Sequence, residues 1–367
     1  MTSDQTIRLS ICIPTHHGRQ PFLEELCGVL LEECKDLGEP VRVCVSDNAS
    51  TDGTEAMMQA YIAQYPGMFA YHRNPENMGF TANLLGAIEM AESEYCWIVS
   101  SDDGLEPGAL RKVLEFLAGH PGITGASLEF APYDFDLTTP RPPLPRALLP
   151  DAPDEDHLYT DFQDFMRECG SVMGYISGQV IRRERWMDAA KELREDLKRY
   201  PYFPHMFLIG RMVTDHPAWG WISGPIVKHR ADNDSFSEAL GKDWLKYHRN
   251  TTDDTARIWA HYLGTKHPTY QRHMRAAFAV TCSGASIMYC KAYSPMKIAD
   301  EAAALATFTR LFGFLPAYWV TAFPCLLIPH PVFRAAAGVR NALRGRSTPP
   351  KPAGAAIRNR SERSESA

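Results

Sequence analysis

Between Leu9 and Leu117 the chain repeats a single pattern: a short β-rich run, a polar loop, then apolar residues at helical spacing. The runs are Leu9–Pro14 (LSICIP), Val41–Ser46 (VRVCVS), Phe69–Arg73 (FAYHR) and the stretch opening at Tyr95 (YCWIV). Such apolar runs suit strands buried on both faces. Phe22–Cys34 sets Leu23, Leu26, Leu30 and Leu31 on one helical face. Asp52, Thr54 and Glu55 suit the start of a helix reaching Tyr65, and Thr81–Ala91 and Ala109–Leu117 continue the series. The alternation β-α-β-α-β-α-β calls for a mostly parallel sheet with right-handed crossovers. Each polar loop then emerges at the same carboxyl edge, where open α/β sheets bind ligands.

The sharpest chemistry on that edge is a pair of adjacent carboxylates, Asp102 and Asp103, where the fourth run stops and Gly104 and Pro107 punctuate a loop. Two acids side by side repel, and a divalent cation or a shared proton relieves the cost. Hard oxygen ligands suit Mg²⁺ or Mn²⁺, which in turn grips a diphosphate. The plainer reading is a helix cap beside a solvated acid. SDNASTDGT, after the second run, likewise reads alone as a turn and a cap. The signal is the convergence of these loops, not any one of them.

A net charge of -6 and a pI near 6.1 argue against a general nucleic-acid binder. Nine cysteines include no C-x-x-C pair, so no zinc ribbon or dithiol motif is present. Cys12, Cys44 and Cys96 fall inside expected strands as small buried thiols, and a reducing, cytoplasmic compartment is expected. MTSDQTIRLS carries no apolar signal-like run.

LSICIPT, VSDNASTDGT, RNPENMGFTAN and WIVSSDD, in this order, resemble the nucleotide-binding half of glycosyltransferase family 2. The likeness is nearest to the abequosyltransferase-type branch, bacterial enzymes that add a dideoxyhexose in O-antigen assembly. The resemblance implies an α/β fold of GT-A (Rossmann-like) type, a mostly parallel sheet flanked by helices. It also implies roles. Pro14 and Thr15 would lie against the nucleoside, Asp47 on the base or ribose, and Asn48 where many members carry a second Asp. Arg73 would stand near the nucleotide, followed by Asn77, Gly79 and Asn83 of an N-x-G-x-x-x-x-N element; loop and helix-cap hydrogen bonding is the plainer role for Asn77 and Asn83. Asp102 and Asp103 match the end of the D-x-D motif, but Ser100 takes its first acidic position. Cation binding would then rest mainly on Asp103, with Asp102 also toward the ribose.

Beyond Leu117 the signal thins. Ile123–Phe130 suits a strand, and the Pro-rich Tyr133–Asp156 a long loop, either an acceptor lid or a surface excursion. Cys169–Arg182 is the expected acceptor-side strand, Trp186–Leu197 a charged helix, and Tyr200–Met212 an aromatic loop entering a helix. An inverting transfer needs a base for the acceptor hydroxyl. His205, after Pro204 at a helix start, ranks first, and Asp196 second; a histidine in an aromatic pocket is the plainer reading of His205. Within Trp219–Asp234, His229 and Arg230 are candidates to reach a diphosphate or cation from a flap that also holds Asn233 and Ser235. A solvated basic cluster is the alternative reading of Lys228, His229 and Arg230, and the favoured one for Lys228.

Asp243–Thr309 is helical in pattern, and Leu311–Pro329 runs without a charge. Arg334, Arg340, Arg344, Arg346, Lys351, Arg358 and Arg360 follow, a basic cluster suited to anionic lipid beside a monotopic anchor, with a buried packing helix the alternative reading of the apolar run. The expected organisation is a GT-A domain over residues 1–240 (nucleotide half 9–117, acceptor half 118–240), a helical extension (241–310), a membrane-associating segment (311–346) and a disordered tail (347–367). The expected activity is inverting, divalent-cation-dependent sugar transfer. The donor would be CDP-, dTDP-, UDP- or GDP-linked and the acceptor a lipid-linked glycan, with the enzyme peripheral on the inner face of the plasma membrane. A sugar-phosphate nucleotidyltransferase is one alternative, although Thr15–Gln20 offers only Gly18 and Arg19 of the loop it needs. An inactive glycan- or membrane-binding module, motivated by Ser100, is the other.

Overall fold

The computed structural model describes residues 8–35, 37, 40–142, 152–231, 233 and 242–343. Ser235, the expected tail and the basic residues from Arg344 onward lie outside the described residues. The chain divides into two compact units, the first running to Arg230 and the second from Ala231.

The first unit runs β1 (Leu9–Thr15), α1 (Gln20–Cys34), β2 (Val41–Asp47), α2 (Thr54–Gln64), β3 (Phe69–Arg73), α3 (Gly79–Glu89), β4 (Tyr95–Ile98), β5 (Gly104–Leu105) and α4 (Ala109–Gly119). It continues through β6 (Gly125–Tyr133), β7 (His157–Tyr159), α5 (Phe162–Glu168), β8 (Gln179–Arg182), α6 (Arg183–Glu192), α7 (Pro204–Asp215) and β9 (Trp219–Arg230). The strands form one sheet in the order β3-β2-β1-β4-β8-β6-β9-β5, with β7 also on β9. The strands β1–β4, β6 and β9 share one direction, while β8, β5 and β7 oppose it. Strands β1 and β2 are buried almost throughout, as parallel strands covered on both faces must be. Helix α4 buries Leu110, Val113, Leu114 and Leu117, the i, i+3, i+4, i+7 stripe.

Register decides where the site forms. Thr15 pairs with Asp47, Asp47 with Arg73, and Cys12 with Ile98. Strands β1, β2 and β3 therefore end in line, while β4 stops at Ile98, level with Cys12.

Four expectations are corrected. Gly104, read as loop, begins β5, which pairs Gly104 with Lys228 and Leu105 with Val227. The helix expected over Trp186–Leu197 spans Arg183–Glu192, and Asp196 opens a separate 3-10 turn, Asp196–Arg199. The flap holding His229 and Arg230 is instead strand β9, because Trp219–Ile222 and Ile226–Val227 are apolar and buried between partner strands. The loop from Tyr133 is also tied down in part: Tyr133 ends β6 and bridges to Pro140, and the Asp156 carboxylate accepts from the Ser223 N–H (2.8 Å).

The second unit is helical: α8 (Trp244–Leu263), α9 (Pro268–Val280), α10 (Gly284–Tyr293), α11 (Ile298–Phe312), a π-helical turn at Tyr318–Ala322, α12 (Phe323–Leu327) and α13 (His330–Leu343). Asp243 and Ser283 cap α8 and α10 by accepting from Lys246 N and Ser286 N. Trp259, Phe308, Phe312 and Tyr318 are buried in its core. The charge-free run from Leu311 is broken: Leu311, Tyr318 and Leu326 turn inward while Trp319, Val320 and Leu327 stand exposed. Among the described residues no single helix is long and apolar enough to cross a membrane.

Candidate active site

The carboxyl edge is built from β2 outward. Asp47 is fully buried. Its Oδ1 accepts from Ser50 N (3.1 Å) and Ser50 Oγ (2.5 Å), and its Oδ2 from Tyr71 Oη (2.7 Å). Burial, then that carboxylate, push the Tyr71 phenol well up, so it stays a donor. Arg73, level with Asp47, donates twice to the Ser50 carbonyl (3.1 and 3.0 Å) and lies 3.8 Å from Glu55.

Helix α3 fastens this edge to β1. Asn83 accepts from Ser46 Oγ (2.8 Å) and Asn74 Nδ2 (3.1 Å) and donates to the Thr15 carbonyl (2.9 Å). Asn48 donates to Asn77 Oδ1 (2.7 Å), which also accepts from the Gly79 N–H (2.9 Å). Gly79 takes φ +81°, a turn into α3 that a Cβ would strain. Pro14 is half-buried, and Thr15 is buried with its Oγ1 unpartnered among the described residues. The polar loops thus brace one another.

The two carboxylates differ sharply. Asp102 forms an ion pair with Arg19 (2.7 Å), accepts from the Ser100 hydroxyl, and offers its carbonyl to Arg230 Nε (2.6 Å). Asp103 is 4 % exposed. Its Oδ2 accepts from Tyr175 Oη (2.8 Å) and Ser177 Oγ (2.6 Å). Its Oδ1 accepts from the Arg230 N–H (3.0 Å) and lies 3.3 Å from His229 Nδ1. Burial pushes the Asp103 pKa up, but the His229 contact and the bonds from Ser177 and Arg230 N outweigh it and hold it low.

Arg230 is not presented to solvent. Its guanidinium pairs with Glu25 (2.7 Å), donates to the Phe135 carbonyl, and lies 4.8 Å from the Phe22 ring centre. It joins α1, the turn after β6 and the acidic pair. His229, with its side chain 38 % exposed against 5 % for Asp103, is the open member of the cluster. Lys228, expected to be solvated, lies 3.6 Å from Glu106 and 5.1 Å from the Tyr133 ring centre.

The candidate bases part company. His205 begins α7 and is 2 % exposed, in ring contact with Phe80 and Phe203. Its Nε2 is 3.2 Å from the Gly174 carbonyl, and its Nδ1 has no partner among the described residues. A carbonyl only accepts, which assigns the proton to Nε2 and leaves a buried lone pair on Nδ1. Burial lowers its pKa to about 4. Asp196 is half-exposed and pairs with Arg199 in its own turn (3.1 Å).

Sequence reasoning missed Tyr175, Ser177, Arg19, Glu25 and Tyr71. Tyr175 and Ser177 sit in the Gly-punctuated stretch before β8, whose glycines were its visible signal.

A divalent cation would find Asp103 and His229. Among the described residues no cluster of three or more His, Cys, Asp or Glu could hold a metal unaided. Both Asp103 oxygens already accept hydrogen bonds and only His229 is partly open, so an ion there would lean on substrate phosphate and water for most of its ligands.

The family model for glycosyl transferase family 2 matches residues 10–186. The abequosyltransferase RfbV of Salmonella typhimurium is 33 % identical over 243 residues, covering 64 % of this chain and 69 % of that protein. The lipopolysaccharide core biosynthesis glycosyltransferase LpsC of Rhizobium meliloti is 32 % identical over 109 residues, 29 % of this chain and 37 % of that one. Among solved structures, TarS 1-349 of S. aureus superposes with a TM-score of 0.56 at 12 % identity, covering 93 % of this chain and 92 % of that one. The same protein in complex with UDP-GlcNAc gives 0.53 at 13 % identity, with 93 % of each chain covered. At such identities TarS speaks for the fold.

Proposed function

The chain belongs to glycosyltransferase family 2, in its abequosyltransferase-like branch, and from that premise we propose an inverting, cation-assisted transfer of a sugar from a nucleotide-sugar donor to a lipid-linked glycan. A deoxyhexose donor follows from the likeness to an abequosyltransferase, and bacterial surface polysaccharide from that likeness and the one to LpsC. The work would be done at the cytoplasmic face of the membrane. The nucleotidyltransferase alternative falls with family membership.

The carrying observation is the Asp103 cluster in the turn between β4 and β5, together with the edge on which Thr15, Asp47 and Arg73 stand level. Tyr175 and Ser177 fix Oδ2. Oδ1, which also accepts from the Arg230 N–H, and His229 would then hold the cation, which when bound takes up negative charge developing on the leaving diphosphate. Asp47, Asn48 and Arg73, with Asn77, Gly79 and Asn83 behind them, shape the nucleoside end. Asp102, held by Arg19, would face the ribose.

His205 is the better base. Its Nδ1 would take the acceptor hydroxyl proton as that oxygen bonds to the anomeric carbon, while the carbon–phosphate oxygen bond breaks and its electron pair leaves with the diphosphate. Burial keeps the imidazole neutral at pH 7, and Nδ1, itself closed to solvent here, must be uncovered for the hydroxyl to reach its lone pair.

Thermal stabilisation across CDP-, UDP-, GDP- and dTDP-sugars with Mn²⁺ tests the donor, and the largest shift names the nucleotide. No shift with any of them would count against the reading. Asp103→Ala is expected to abolish transfer in a folded protein. Full activity in that variant, or transfer indifferent to EDTA, would overturn the cation-assisted step.

A further inference from the structure

The second unit turns by 93° between Tyr318–Leu327 and His330–Asn341. Apolar side chains stand out around that corner: Val320 is 76 % exposed, Leu327 and Val332 56 %, Trp319 46 % and Ile328 40 %. A gathering of this kind on a soluble surface marks a contact site.

The backbone beneath these side chains is closed off from within. Lys291, wholly buried on α10, donates from Nζ to the carbonyls of Leu326 (2.8 Å) and Ile328 (2.7 Å). Glu301 of α11 lies 3.0 Å from that Nζ and accepts from the His330 N–H (2.9 Å). Thr321 Oγ1 bonds back to the Ala317 carbonyl, and Trp319 Nε1 to that of Gly313, both at 2.8 Å. At an aqueous surface, water satisfies the last carbonyls of a helix and no buried lysine is needed. In hydrocarbon an unmet backbone group is costly. Apolar side chains over an internally satisfied turn are what lipid requires.

Charge then selects the occupant. Residues 302–361 hold eight of the chain's 38 Lys and Arg and none of its 44 Asp and Glu. Two of these, Arg334 and Arg340, are exposed on α13, each keeping one N–H on its own unit, to the Ser294 carbonyl and to Tyr293 Oη. In a chain of net charge -6, an acid-free basic sequence that puts Arg334 and Arg340 on the helix leaving the apolar corner complements an anionic bilayer.

We propose that this corner is a monotopic docking wedge for anionic membrane. Val320, Leu327, Ile328 and Val332 enter the headgroup–acyl boundary, Trp319 lies in the interface, and Arg334 and Arg340 meet lipid phosphates. The proposal rests on the lipid-linked acceptor for its purpose, and on the second unit alone for its evidence.

Flotation of the full chain with phosphatidylcholine vesicles, and with vesicles in which phosphatidylglycerol replaces about a third of the lipid, tests it. Binding is expected to the anionic vesicles only, weakening at high salt. Val320→Glu with Leu327→Glu should lower it at least about tenfold. Arg334→Gln and Arg340→Gln should each lower it about fivefold. Circular dichroism and donor turnover should stay unchanged in every variant. Absence of vesicle binding overturns the proposal, and dimerisation lost in Leu327→Glu would then make the corner a chain–chain interface. Equal binding to neutral vesicles, unmoved by the substitutions, also overturns it. Loss of donor turnover with vesicle binding intact would strike the proposed function and leave this wedge standing.

Discussion

Asp103 is buried and yet held ionised, and its partners explain how: Tyr175, Ser177, His229 and the Arg230 N–H share its two oxygens. Asp103→Asn keeps the shape and removes the charge, so transfer should fall by at least about 10²-fold in steady-state kinetics. Tyr175→Phe keeps the ring against Phe130 (4.0 Å between centres) and deletes one hydrogen bond. It should cost about 1 kcal/mol by denaturant titration and weaken Mn²⁺ binding in the presence of nucleoside diphosphate, read by calorimetry. His205 gives a pH signature. Its pKa falls from 6.5 to about 4 on folding, so the unfolded chain binds more protons in that interval. Its stabilising contribution is complete above about pH 6.5 and drains away toward pH 4, by roughly 3 kcal/mol at the lower end. His205→Phe should flatten that acid limb in urea midpoints taken across the range.

The elements succeed where side chains leave room for one another. Gly125 on β6 sits under Trp219 of β9, and a Cβ there would lie 2.5 Å from the indole and 2.5 Å from the Val180 carbonyl. That carbonyl cannot swing away, so Gly125→Ala should destabilise the first unit by about 2–3 kcal/mol in thermal unfolding. The β-α alternation up to Leu117 was legible because parallel strands covered on both faces write themselves as apolar runs, as LSICIP and VRVCVS do. The carboxyl edge followed from that alternation by topology. The fate of Gly104 was not legible, since a two-residue strand exists only through its partner β9. Nor was the clamp on Asp103: Tyr175 and Ser177 come from 72 and 74 residues away, and no local spacing encodes that meeting. Arg230 misled for the same reason. Expected on a flap reaching for a diphosphate or cation, it is fixed in β9 and paired with Glu25, 205 positions earlier, which no local pattern announces.

At the scale of the whole molecule, each unit relies on a buried ion pair, and the two can be challenged separately. Lys291→Met would leave Glu301 inside the second unit without its cation, and about 3–5 kcal/mol should be lost in calorimetric unfolding. Donor-induced stabilisation, a property of the first unit, should survive at temperatures where both are folded. The first unit has its own dependency. Strand β9 joins β6, β7 and β5 and delivers His229 and Arg230 to an aspartate made 126 and 127 residues earlier. A ribosome that has finished β8 has already translated every acidic motif of the nucleotide edge, yet the nascent chain still lacks the strand that sets Asp103. Competence should therefore arrive late and all at once in synthesis, and stalled translation products should be inert toward donor sugar.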